Sequence, residues 1–209
     1  MRISSERGIV IRAFPYGESD LILRILGEHS GKVSAIAKGA RKSRKRFSGS
    51  FDLFDFGMFE LKEGKSELYF LQKYTAHKGF NSVRSNWDKL TTASIVCEAF
   101  DMLIKEDMGD EVTVFDGLYQ GLGAIDKAGS SKEVLKYCHT TLRDLLSYSG
   151  FLSAQAIAPS AKNLLRLIKQ IESFSEREMQ SRKALLMLLS SLRKGQVAES
   201  SPEALTKTE

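Results

Sequence analysis

Six of the nine residues from Lys38 to Arg46 are cationic: Lys38, Arg41, Lys42, Arg44, Lys45 and Arg46. Charges of one sign at that density repel one another within a loop until an anion neutralises them. Phosphate is the anion that fits. Each phosphate neutralised on a single strand releases condensed counterions, with a salt slope of about −0.7 per contact. Arg forks onto phosphate oxygens and Lys acts as a point charge, so the run suits tracking a backbone rather than reading bases. Aromatic residues lie on both sides of it: Phe14 and Tyr16 before, and Phe47, Phe51, Phe54, Phe56, Phe59, Tyr69 and Phe70 after. An exposed ring beside a cationic groove stacks an unpaired base, a contact of about 1–3 kcal/mol. A small barrel also needs rings inside it, so most of these belong to a core. Tyr16 and Phe47, each in a turn or loop, are the stacking candidates. With no ligand, the same run is a solvated basic loop.

Bond-making chemistry has little to work with. His29, His77 and His139 are scattered, and no phosphate-cradling or zinc-protease motif occurs. Gly117, Gly121 and Gly123 fall in a helical pattern with no preceding strand, which points to close helix packing. The acids Asp107/Asp110/Glu111 and Asp52/Asp55 sit in turns without a partner base, so a magnesium nuclease is not indicated. Cys97 and Cys138 read as buried reduced thiols. Cys138 and His139 alone cannot complete a tetrahedral zinc site. The expectation is a protein that is not an enzyme and takes no cofactor or metal.

Short strands must position the basic run. Gly8 to Phe14 is apolar and β-branched and exits into Pro15-Tyr16-Gly17; Leu21 to Leu26 is a second run. Lys32 to Ala37 alternates with period two, giving a hairpin with the second strand. Phe54–Leu61 and Ser66–Leu71 flank a turn at Gly64 and form a second hairpin. Five strands in about 75 residues suit a small barrel, either an OB fold or an SH3-like one.

From Ser85 onward the period becomes helical. Ser85-x-x-Asp88, Ser130-x-x-Glu133 and Ser175-x-x-Glu178 resemble helix starts, Pro159-Ser160 opens another helix, and Lys194-Gly195 closes the last. The fold class expected is therefore α+β. Residues 1–80 form a nucleic-acid-binding barrel, residues 81–195 a helical bundle, and residues 196–209 a polar, unstructured tail. Charge follows the same division. Of a net +5, residues 1–80 hold 15 Lys and Arg against 9 Asp and Glu, whereas residues 81–209 hold 16 against 17. No apolar run reaches the roughly 18–20 residues of a membrane span, and the N-terminus lacks a signal-peptide pattern, so a cytoplasmic location is expected.

The segment Lys32-Val33-Ser34-Ala35-Ile36-Ala37-Lys38-Gly39-Ala40-Arg41-Lys42, continued by Ser43 to Phe47, resembles RecO, the bacterial recombination mediator family. Gly8-Ile9-Val10-Ile11 and Tyr16-Gly17-Glu18-Ser19-Asp20 agree with it. The resemblance implies an N-terminal OB fold before a helical domain. It also implies binding of single- and double-stranded DNA, annealing of complementary strands, and work with RecR to load RecA on DNA coated by single-strand-binding protein. In this family the acidic C-terminal tail of single-strand-binding protein is a partner. Lys132, Lys136, Arg143, Lys162, Arg166 and Lys169 are candidate rim cations for it, or plain surface charge. Many members carry a four-cysteine zinc module in the helical domain; the sequence after Ser149-Gly150-Phe151 has no such cysteines. Two readings stay open beside this one: an RNA-binding OB protein of translation or ribosome assembly, and a protein-docking adaptor.

Overall fold

A computed structural model describes residues 3–42, 47, 51–64, 68–105, 111–151 and 158–199. Five strands come first: β1 (Ile3–Tyr16), β2 (Asp20–Gly27), β3 (Gly31–Ala37), β4 (Phe56–Lys62) and β5 (Leu68–Ala76). They close in the order β1-β2-β3-β5-β4, antiparallel except where β3 runs parallel to β5. This order is that of an OB fold and removes the SH3-like alternative. β1 is long because it pairs with β2 along one edge and with β4 along the other, which leaves no open sheet edge.

Alternation sorts the barrel side chains. Leu21, Leu23 and Ile25 of β2 and Val33, Ala35 and Ala37 of β3 point inward, with Phe59, Leu61 and Leu71 opposite them. Arg24 of β2 and Lys32 and Ser34 of β3 occupy the outward positions between. A bulge between Val10 and Arg12 resets β1. Val10 packs in the barrel interior while Ile11 joins the outer core, and Arg12 lands opposite Arg24 on the outer face.

Five helices follow: α1 (Trp87–Leu103), α2 (Glu111–Lys127), α3 (Ser131–Tyr148), α4 (Ala161–Ser175) and α5 (Arg182–Glu199). Ser130 and Ser160 cap α3 and α4 as expected, accepting from the backbone N–H of Glu133 and Asn163. Two starts differ from the sequence pattern. α1 is capped by Asn86, whose Oδ1 accepts from Lys89 N at 3.0 Å, one residue past Ser85. Ser175 does not open a helix; it is the last residue of α4 and its hydroxyl donates back to Ile171 O at 2.7 Å. Glu176, in the left-handed region at φ 53°, ends α4 there. α5 starts instead after Gln180 and Ser181, whose N–H groups donate to the Glu98 carboxylate of α1 at 2.8 and 2.9 Å. It also runs to Glu199, past Gly195 and into the segment expected to be a tail; residues 200–209 lie outside the described residues.

One core spans both halves: Ile9, Ile11, Leu26, Phe54 and Phe56 on the barrel exterior pack in the same cluster as the buried faces of the helices. Among the described residues, no helix is long and apolar enough to cross a membrane.

Candidate nucleic-acid interface

The basic run begins where β3 ends, in a turn that starts at Lys38. Gly39 takes φ +71° there, a conformation that side chains resist, and Gly17 takes φ +58° in the turn between β1 and β2. The two turns are bonded to each other. Gly39 N donates to Asp20 Oδ1 at 2.8 Å, Arg41 N to Ser19 O at 2.9 Å, and Arg41 Nη1 to Gly17 O at 3.2 Å. Ser19 Oγ donates to the same Asp20 oxygen at 2.8 Å. Two segments some twenty residues apart thus form one platform, joined through Gly17 O, Ser19 O and Asp20 Oδ1 as acceptors.

Lys38, Arg41 and Lys42 stand exposed on this platform, with Tyr16 beside them at 53% exposure. Lys38 Nζ lies 5.1 Å from the centroid of the Phe70 ring of β5, which holds the ammonium over the outer face of the barrel. Lys42 meets Glu18 at 3.4 Å. Both are well exposed, so that pair contributes little and yields readily to a stronger anion. Arg44, Lys45 and Arg46 lie outside the described residues.

Phe47 is a correction. It is 2% exposed and packs 5.3 Å from the Phe51 ring, which in turn lies 5.1 Å from Tyr74. A small barrel with Ala35 and Ala37 on its inner wall leaves space that these rings fill, so Phe47 has no free face for a base. Phe51, Phe54, Phe56 and Phe59 are buried as well.

Sequence reading missed a second cationic group, on the outer face where the barrel meets α1. Arg24 Nη1 donates to both oxygens of Asp101 at 2.7 and 2.8 Å, and Arg12 Nη1 to one of them at 3.2 Å. Lys32 Nζ donates to the Asp101 carbonyl at 2.9 Å. The signal for Arg24 and Lys32 was in the strand alternation, which marks them as outward. Nothing in the sequence marks the bulge that turns Arg12 to the same side.

The expected rim cations form two exposed helical stripes, Lys132 and Lys136 on α3 and Lys162, Arg166 and Lys169 on α4, while Arg143 pairs with its neighbour Asp144 at 2.6 Å. The helical domain carries a groove of about 270 Å³ between α2 and α3, floored by Phe100, Val114 and Leu145. None of the six cations lines it, and Asp144 is a charged residue that does. The geometry therefore does not join these cations to an apolar groove.

Cys97 and Cys138 are buried and unpaired, and burial raises both thiols, Cys138 to about 12. Among the described residues no cluster of His, Cys, Asp and Glu could hold a metal ion.

Residues 1–80 match the family described as recombination protein O, N terminal. A DNA repair protein RecO of Anaeromyxobacter dehalogenans is 36% identical over 122 residues, covering 58% of this chain and 48% of that protein. One from Clostridium perfringens is 34% identical over 151 residues, covering 72% and 60%. One from Clostridium novyi is 33% identical over 110 residues, covering 53% and 43%. The chain spans about half the length of the curated relatives it matches.

Proposed function

We propose, from the match of residues 1–80 to the RecO N-terminal family and the likeness to RecO proteins, that the chain is a RecO-family member that acts in DNA repair and recombination by binding DNA without sequence preference. In this reading it binds single and double strands, anneals complementary ones, and with RecR assists RecA loading on DNA coated by single-strand-binding protein. The observation that carries it is the platform on which the Gly17 and Gly39 turns are bonded together and hold Lys38, Arg41 and Lys42 outward beside Tyr16.

The mechanism needs no bond chemistry. Two strands meet against their own repulsion, and a cationic surface lowers that repulsion by exchanging condensed counterions for fixed Lys and Arg. Tyr16 adds a sequence-tolerant stacking face. Partner contact in this reading falls to the helical domain, where the stripes on α3 and α4 offer charge to the acidic tail of single-strand-binding protein.

The test is fluorescence anisotropy of a labelled single-stranded oligonucleotide across a salt series. Simultaneous alanine replacement of Arg41, Lys42, Arg44, Lys45 and Arg46 is expected to flatten the slope by up to about 3.5, five contacts at about 0.7 each. Tyr16→Ala should weaken binding roughly 5- to 100-fold while leaving the slope alone, because stacking moves no counterions. If the five-fold variant kept the parent slope and still annealed strands, the basic run would not be the binding element.

A further inference from the structure

Four apolar side chains stand in register on the outer wall of the barrel and belong to neither apolar core. Phe14 of β1 lies opposite Ile22 of β2, Ile22 opposite Ile36 of β3, and Ile36 opposite Phe70 of β5. Their neighbours along the strands, Ala13, Leu21, Leu23, Ala35, Ala37 and Leu71, pack in the barrel interior, so alternation puts all four outside. The helices dock elsewhere. Among the described residues, the barrel exterior joins their core through Ile9, Ile11, Leu26, Phe54 and Phe56. Phe14, Ile22 and Phe70 are half-buried, and Ile36 between them is 6% exposed.

The width of this row decides what kind of occupant it suits. Neighbouring strands lie about 4.8 Å apart and outward positions about 7 Å apart along a strand, so the row is about 14 Å long and one side chain wide. That is about 100 Å², against about 800 Å² per partner in a stable protein–protein interface. Mostly polar residues bound it. Arg12, Arg24 and Ser34 hold the outward positions towards the helices, with Leu68 at the β5 end; Tyr16, Asp20 and Lys38 come next on the other side. A narrow apolar strip running beside the platform has the profile of a single nucleic-acid strand, whose unpaired bases present apolar faces while its charge lies along the backbone. The rings suit that ligand. Phe14 shares its face of β1 with Tyr16, about 7 Å further on, and Lys38 Nζ lies 5.1 Å from the Phe70 centroid, which brings a cation and a stacking ring to one spot.

We propose that this row is a base-stacking surface that makes the site favour an unpaired strand: Phe14 and Phe70 stack bases at its two ends, and Ile22 and Ile36 pack against those between. This rests on the DNA-binding reading above. It adds a discrimination that the platform lacks, since Lys and Arg meet the phosphates of either form, whereas the bases of a duplex are stacked on one another and offer these rings no face.

Phe14→Ala/Phe70→Ala tests it in the full chain, beside Phe14→Tyr/Phe70→Tyr, which keeps the rings. The probes are an oligothymidylate of about 16 nucleotides, the upper site size of one OB fold, with an abasic strand and a duplex of the same length. The alanine variant should bind the oligothymidylate at least about 5-fold more weakly at the parent's salt slope, because stacking moves no counterions. On the abasic strand and the duplex it should match the parent, which also shows that it is folded. The tyrosine variant should match the parent on all three. Unchanged oligothymidylate binding by the alanine variant overturns the row alone and would be the result for a surface that meets protein. An equal loss on the abasic strand or the duplex means that the rings act by placing Lys38 or by holding the barrel, and it overturns the row too. So does a tyrosine variant as weak as the alanine one. No binding of any probe by the parent chain overturns the DNA-binding reading and the row together.

Discussion

Asp101 sits 2% exposed between two arginines, and removing it tests how much a single carboxylate joins the barrel to α1. Breaking a fully buried ion pair costs about 3–5 kcal/mol because the stranded charge stays buried. Here Arg12 and Arg24 are each about a third exposed and can turn to water, so Asp101→Ala is expected to cost less, about 2–3 kcal/mol. It should appear as a lower urea midpoint at unchanged m; a midpoint equal to the parent's would show that the bridge does not hold the two halves. His139 is the opposite kind of residue, 1% exposed on α3 with neither ring nitrogen hydrogen-bonded among the described residues. Burial first, then Arg143, holds its imidazole below the ordinary histidine range, against an opposing pull from Asp144. The unfolded chain therefore binds the proton more tightly than the folded one. Stability contributed by the neutral ring is complete above about pH 6.5 and is lost as pH falls towards the depressed folded value. Urea midpoints at about pH 7 and about pH 5.5 should differ in the parent and differ less in His139→Leu. An equal difference in both would assign the acid sensitivity to other groups.

Elements tell where glycine and alternation mattered. A Cβ on Gly121 would lie 2.6 Å from Thr141 Oγ1 and Cγ2, whereas Cβ atoms on Gly117 and Gly123 would meet nothing within 4 Å. The closeness of α2 and α3 therefore depends on one of the three glycines. Gly121→Ala is expected to cost about 1–3 kcal/mol by overpacking, despite alanine's better helix propensity, and Gly117→Ala to be neutral or stabilising; thermal melts of the two variants would check both signs. The strands and their buried faces were legible because alternation in Leu21–Leu26 and Lys32–Ala37 survives into the barrel. Helix starts at Ser130 and Ser160 were legible because each hydroxyl makes the bond its position suggests. Ser175-x-x-Glu178 has the same letters but a preceding helix that had not yet ended, a fact local spacing does not contain. Phe47 was misread for a related reason: a ring in a loop looks exposed until the small residues across the barrel are known to leave room for it. At the candidate site, the basic run was visible as density of charge. The second cationic group was not, because Arg12, Arg24, Lys32 and Asp101 share no neighbourhood until β1 bulges and α1 docks.

At the scale of the whole molecule, one apolar cluster runs from the barrel exterior through all five helices, while positive charge concentrates on the barrel. The helical half is thus fixed relative to the cationic half, and under the proposed function a partner on the helices would be held at a set distance from DNA on the barrel. The double pairing of β1 has a further consequence, for how the chain is made. Ile3 lies opposite Lys62, and Ser34 opposite Leu68, so the barrel cannot close until some seventy residues have left the ribosome. Until then β1, β2 and β3 can form only an open sheet, with the free edges of β1 and β3 liable to pair with another chain. Lys38 to Arg46 emerges at the end of β3 during this interval. Charge at that place acts as a gatekeeper against edge-to-edge aggregation, so the run proposed to meet phosphate in the finished protein would also guard the nascent one.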